Sequence, residues 1–336
     1  MTRSPRAMAL IIAGVVISCS VSGCGAGRAA LGIREPPKAN PAVAPVTVGQ
    51  ATSILTRDFT AAQQSAATTG AAAQAALSTA YMGEALRAAK ARVRLAAIEP
   101  LGTKSPVLTP LQPRLLAVSR GFGFPRLMVA QTMAAEGSLP VLHLLTSPNA
   151  ATPYRIGMSA TMLPSSTVKP FDPLTQGSPL LTNGSGLVVS GTALLGAYAA
   201  GMAFPAKVVT NPPFVADSFA TQVRVRAASL AKAVAIQAKF TQVHRVVPNS
   251  VYAVRQANGD ALVFGVIERT DRVTVKKGQA VNTASNKAFV LLSGKKRVTK
   301  SASITTLQFV VFEVPQSKGR AILVAASEQV VAGSGS

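Results

Sequence analysis

The residues equipped for chemistry are few. Two cysteines occur in 336 residues, Cys19 and Cys24, both near the start. The two histidines, His143 and His244, sit in the apolar stretches Pro140–Leu145 and Thr241–Val247. A lone histidine flanked by leucines or valines reads as a packed or edge residue rather than a general base. Ser-x-x-Lys, a spacing that can supply a nucleophile and a nearby amine, occurs at Ser166–Lys169, Ser229–Lys232 and Ser293–Lys296. Ser229 falls mid-helix, the other two fall in loops, and no Lys-Thr-Gly partner exists, so all three read as chance matches. No HExxH, CxxC or Gly-x-Ser-x-Gly is present, which argues against a dedicated zinc site or a nucleophile elbow. Glu268 and Asp271 are close in sequence but flanked by Arg269 and Arg272, a surface ion-pair cluster. A pair of acids assembled from distant positions stays open. The expectation is a chain that is not an enzyme, with no catalytic residues, no metal ligands and no cofactor.

The cysteines carry a different chemistry. Arg3 and Arg6 make a cationic start, and Ala7 to Ile17 is an apolar run about half the ~20 residues that a membrane-crossing helix needs. A short apolar core behind a charged start is a secretory signal. It is followed by Val21-Ser22-Gly23-Cys24, an aliphatic residue, two small residues and a cysteine. This order resembles the lipobox of bacterial lipoproteins. The resemblance implies lipid on the Cys24 thiol, cleavage between Gly23 and Cys24, and a new amine open to acylation. Val16-Ile17-Ser18-Cys19 matches more loosely, at the very end of the apolar core. An ordinary signal peptide cut elsewhere is the plain alternative. With Cys24 as the lipidation site, the expected location is the extracytoplasmic face of the cell membrane. The mature chain then has no disulfide, and two acyl chains anchor it stably.

Charge narrows the partners. The 34 Lys and Arg of the whole chain, less Arg3 and Arg6, leave 32 against 12 Asp and Glu, a net +20 after cleavage. An exported, anchored protein meets no nucleic acid. Its polyanions are phospholipid head groups and cell-wall polymers. Residues 245–320 hold 13 of the cations against four acids, a net +9. Lys276, Lys277, Lys295, Lys296, Arg297 and Lys300 fall at expected strand ends, and they are the candidate anion-binding residues. A basic surface that serves solubility alone is the alternative.

The elements that must position these residues follow from pattern. A signal peptide covers 1–23. A Pro/Ala/Gly-rich tether covers 24–46, where Pro36, Pro37, Pro41 and Pro45 forbid a continuous helix. Residues 48–98 read as helix with a break at Gly70. Met82, Leu86, Ala89, Val93 and Ala96 form an apolar stripe, with Arg87, Lys90 and Arg94 on another face. Between 115 and 163, four short apolar runs are separated by turn signals and predict an antiparallel meander. A Pro/Gly-rich linker near 164–186 follows. Helices are then expected at 190–204 and 214–240, and strands at 242–255, 261–276, 287–293, 303–314 and 320–326, with Asn258-Gly259 a hairpin turn. The fold class is α+β, in two tandem domains, 47–165 and 187–330, each with N-terminal helices packed on a curved antiparallel sheet.

Helices on a curved sheet resemble the cone-shaped fold of nuclear-transport-factor-2-like and cystatin-like domains. The lipobox, the Pro-rich tether, the Ala-rich helix, Gly123-Phe124-Pro125-Arg126 and the Ala193–Tyr198 helix together resemble a group of uncharacterised actinobacterial lipoproteins. That resemblance implies no activity. The expected function is a lipid-anchored binding or scaffold protein of the cell envelope. A carrier of a small apolar ligand in a cone-shaped sheet pocket, and an enzyme of unrecognised type, are the alternatives.

Overall fold

The computed structural model describes residues 42–68, 70–96, 98, 112–133, 138–182 and 186–336. The signal peptide, both cysteines and most of the tether lie outside the described residues.

Helix α1 (Val48–Ala67) starts at Thr47, whose hydroxyl accepts the Gln50 N–H while the Gln50 side chain accepts the Thr47 N–H, a reciprocal cap. Helices α2 (Gly70–Ala80) and α3 (Gly83–Leu95) follow. The expected break at Gly70 is present, and Gly83, also at positive φ, makes a second. The buried face of α3 is Ala85, Ala88, Ala89, Ala91 and Leu95, rotated from the expected stripe. The meander is as expected: β1 (Arg114–Val118), β2 (Arg126–Thr132), β3 (Val141–Ser147) and β4 (Arg155–Thr161) form a four-stranded antiparallel sheet in chain order.

The second half begins with the short strand β5 (Leu180–Leu181), then α4 (Gly191–Gly201) and α5 (Ser218–Val234). Asp217 caps α5 by accepting the Ala220 N–H at 2.8 Å, and Tyr198 of α4 donates its hydroxyl to the same carboxylate at 3.0 Å. Strands β6 (Ala238–Val246), β7 (Tyr252–Arg255), β8 (Ala261–Val275), β9 (Val281–Asn282), helix α6 (Lys287–Ser293), β10 (Arg297–Val298), β11 (Ser301–Val314) and β12 (Ile322–Gly335) complete the chain. The six-stranded sheet runs β12-β11-β8-β7-β5, with β6 pairing the far half of β8.

Several expectations change here. The single strand 242–255 is two strands, because Pro248 and Asn249, the latter at φ +56°, turn the chain between them. The strand at 287–293 is helix α6. Its apolar sequence suits either state, but the Asn286 side chain accepts the Phe289 N–H and Gly294 closes the helix at φ +71°, so caps decide. The last strand does not end at 326 but runs to Gly335 beside β11. The 164–186 stretch is not a bare linker: β5 joins the second sheet, and the Leu163 N–H bonds to the Val324 carbonyl.

The layers explain the long apolar strands. Ala51, Leu55 and Phe59 of α1 cover Val118, Met128, Leu145 and Ile156 on the outer face of the first sheet. Its inner face, with Leu127, Val129, Leu142, Leu144 and Met158, packs on Leu262, Phe264, Val266, Leu307, Phe309 and Val311 of the second sheet. The outer face of the second sheet, with Val263, Ile267, Val310 and Phe312, is covered by Leu194, Leu195 and Tyr198 of α4 and Val223 of α5. The order is helix, sheet, sheet, helix, an α+β arrangement within one compact unit, 40–336. Residues Ala261–Ile267 and Thr306–Phe312 are buried without alternation because both faces are covered. Gly265 lets α4 lie close to the sheet, since a Cβ there would collide with Leu195. The inner faces of the two sheets pack on each other.

Candidate functional site: the basic end of the second sheet

The six candidate residues converge at one end of the second sheet. Strand β8 ends at Val275, whose N–H bonds to the Lys300 carbonyl at 2.8 Å. The chain turns through Lys276, Lys277 and Gly278, runs through β9, caps α6 at Asn286 and leaves it at Gly294. Lys295 and Lys296 follow, and β10 pairs back on β9 with Arg297 opposite Asn282. The Thr283 N–H bonds to the Lys296 carbonyl at 2.9 Å, and the Thr283 hydroxyl to that of Lys295. Beneath this cap, Phe289, Val281 and Val298 pack with Ala227 and Val234 of α5 and Phe240 of β6. The cap therefore has an apolar underside and a basic exterior.

All six side chains are exposed. Lys276 donates from Nζ to the Ala235 carbonyl at 2.7 Å, which ties the β8–β9 turn to the α5–β6 turn. Among the described residues none of the six side chains pairs with an acidic side chain, and the described acidic side chains are all held elsewhere. Asp58 pairs with Arg57, Glu84 and Glu268 with Arg87, Asp172 with Arg120, Asp260 and Glu313 with Lys169, Asp271 with Arg269, and Glu328 with Arg269 and Arg226. Asp217 accepts from Tyr198. Among the described residues, much of the surplus positive charge stands at this end.

Three further lysines join it that were not among the six candidates, although Lys287 is one of the 13 cations of 245–320. Lys232 is exposed in the last turn of α5, Lys239 in the first residues of β6, and Lys287 at the start of α6. Lys232 and Lys239 arrive through the α5–β6 turn, and their distance along the chain hides them. The ridge expected on α3 has another use: Arg87 pairs with Glu268 at 2.8 Å, and Arg94 donates to the Leu291 carbonyl at 3.0 Å. These cations fasten the helix to the second sheet and its cap. Lys90 is exposed.

The two histidines are enclosed, and two of the Ser-x-x-Lys matches have a member engaged elsewhere. His143 is bonded on both ring nitrogens, to Thr132 and Ser159 at 2.8 Å, with its ring edge on Phe59, and burial lowers its pKa to about 3. His244 lies between Gln308 and Gln242, and burial lowers its pKa to about 4. Lys169 of the first Ser-x-x-Lys is held by Asp260 and Glu313, and the Ser293 hydroxyl donates to the Phe289 carbonyl. No group of three or more His, Cys, Asp or Glu among the described residues could hold a metal ion. Cavities of about 340, 320 and 310 Å³ lie beside β5, α4 and α5, and one of about 190 Å³ sits between the sheets at Leu144, Met158, Tyr252 and Val266. None of these is lined by the six cations. No helix of the described residues is long and apolar enough to cross a membrane.

No protein-family profile, no curated protein and no solved structure matches the chain.

Proposed function

We propose that the chain is a lipid-anchored, non-enzymatic binding or scaffold protein of the bacterial cell envelope, and that the basic end of its second sheet holds phosphate-bearing anions there. The observation that carries this reading is the gathering of six exposed cations at one end while the described acidic side chains are bonded elsewhere. In this reading the halves 47–165 and 187–330 are tandem α+β units joined through a common core. The likeness to actinobacterial lipoproteins agrees with it.

Anchoring rests on Val21-Ser22-Gly23-Cys24 behind the short apolar core. Cys24→Ala is expected to abolish incorporation of labelled fatty acid and to release the protein or leave it unprocessed. Retained labelling, with loss only in Cys19→Ala, moves the lipid to Cys19.

For the basic end, the unlipidated chain is titrated with anionic vesicles, neutral vesicles and soluble polyphosphate across a salt series. Binding to anions is expected at low salt, fading as the Debye length shrinks from ~10 Å at 0.1 M to ~3 Å at 1 M. Each cation near an anionic surface contributes about 1 kcal/mol. Changing Lys295, Lys296, Arg297 and Lys300 together to Gln therefore weakens binding by roughly two to three orders of magnitude. Indifference to both anions at low salt, or an unaffected quadruple variant, overturns the reading.

A further inference from the structure

One turn at the basic end carries an exposed apolar side chain. The α5–β6 turn is Ala235-Ile236-Gln237, and Ile236 is 85% exposed. A single exposed apolar side chain needs no explanation of its own. This one has particular neighbours. The Lys276 ammonium bonds to the Ala235 carbonyl at 2.7 Å, and the Lys276 N–H bonds to the Gln237 carbonyl at 2.9 Å. Ile236 is therefore held between two bonds to the first residue of the Lys276-Lys277 pair. Lys232 precedes it by one helical turn and Lys239 follows it by three residues. Ile236 thus stands in the middle of a turn that Lys232 and Lys239 flank in the chain and that Lys276 is bonded to, and no acidic side chain lies on that turn.

We infer that the anion this end meets is the head-group surface of an anionic bilayer, and that Ile236 enters the head-group region while the surrounding lysines contact phosphates. The inference rests on the reading of this end as an anion-binding site and names its partner. Two observations favour a bilayer over a polymer chain. The cations sit on turns and strand ends that project, and none of them lines the cavities described above, so the surface suits a plane rather than a threaded chain. A soluble polyanion rewards charge alone, whereas an interface rewards an apolar side chain flanked by cations.

The chain contains no tryptophan, so Ile236→Trp gives a protein with one reporter at the tip. The full unlipidated chain carrying it is mixed with phosphatidylglycerol-containing vesicles, phosphatidylcholine vesicles and polyphosphate. Its thermal unfolding is first matched to the parent. The expected result is a blue-shifted emission on anionic vesicles, quenched by brominated acyl chains, with no shift on neutral vesicles or polyphosphate. Ile236→Gln is expected to weaken anionic-vesicle binding by about ten-fold or more and to leave polyphosphate binding within a factor of about two of the parent, since it changes no charge. Vesicle binding with an unshifted, unquenched tryptophan overturns the insertion and leaves the anion-binding reading standing. Binding to polyphosphate without binding to vesicles makes the partner a polymer and overturns the inference. Binding to neither overturns both.

Discussion

His244 has a glutamine on each side of its ring. The Gln242 amide donates to Asp271 at 2.7 Å, which turns its oxygen toward His244 Nε2 and makes that nitrogen the donor. A neutral ring then offers a lone pair at Nδ1. That calls for the Gln308 amide nitrogen, which otherwise has no partner, in place of its oxygen. The histidine is thus held neutral, as is His143, and both have pKa values lowered by burial, to about 4 and about 3. Above pH 6.5 neither histidine is charged in the native or the unfolded chain. As pH falls below 6.5 the unfolded chain takes up protons that the native chain refuses, so stability falls by up to about 1.4 kcal/mol per pH unit per histidine. Asp58 works in the opposite sense. Burial raises its pKa to about 6, so below that pH the native state takes up a proton ahead of the unfolded state. Asp271, also raised by burial, adds to this. The expected outcome is a denaturation midpoint that begins to fall as pH drops through about 6.5 and keeps falling below 6, where Asp58 and Asp271 offset part of the loss. Gln at both histidine positions should remove the fall. If the double variant keeps the same slope, the histidines are not its source.

At the scale of elements, what the sequence displayed depended on whether a local signal or the tertiary setting decided each piece. The meander β1–β4 was legible because its apolar runs are short and separated by turn residues. The β7–β8 hairpin was legible because Gly259 takes φ +91°, as an Asn-Gly turn requires. Helix α6 was not, because seven residues rich in Phe, Val and Leu carry no period long enough to separate helix from strand. Its signals were the flanking Asn286 and Gly294. The stacking of the two sheets also left a trace that went unread. Ala261–Ile267 alternates nowhere, and an antiparallel strand with one wet face should. The six cations of the candidate site were legible because they flank strands β8 and β11, which neighbour each other. Ile236, Lys232 and Lys239 were not, since only the return of α5 onto β6 brings them to the same end. Cys24 is a case apart, a motif in the sequence that the described residues do not reach.

The molecule as a whole joins what the element order divides. Each half keeps its own sheet, but each inner face is buried only by the other. The joint is also stitched by polar contacts: Arg87 of α3 to Glu268 of β8, Lys169 to Asp260 and Glu313, and the Leu163 N–H to the Val324 carbonyl. Leu127, Leu142, Leu144, Phe264, Leu307 and Val311 would each face water in an isolated half, at about 1.5–3 kcal/mol per large apolar side chain. Such losses exceed what a domain of ordinary marginal stability can absorb. Residues 42–178 and 179–336 expressed separately are therefore expected to aggregate or to bind a hydrophobic dye. Expressed together from two cistrons, they should co-purify as a one-to-one complex that unfolds in one transition. Halves that each remain monomeric, unfold cooperatively and do not associate when mixed would show that the shared core is dispensable. The charge of the basic end would then sit on a unit able to turn freely against the rest of the protein. Held through the shared core, that end has a fixed direction relative to Ala42, where the described chain begins, and that direction determines whether the lipid proposed on Cys24 and the basic end could reach one surface together.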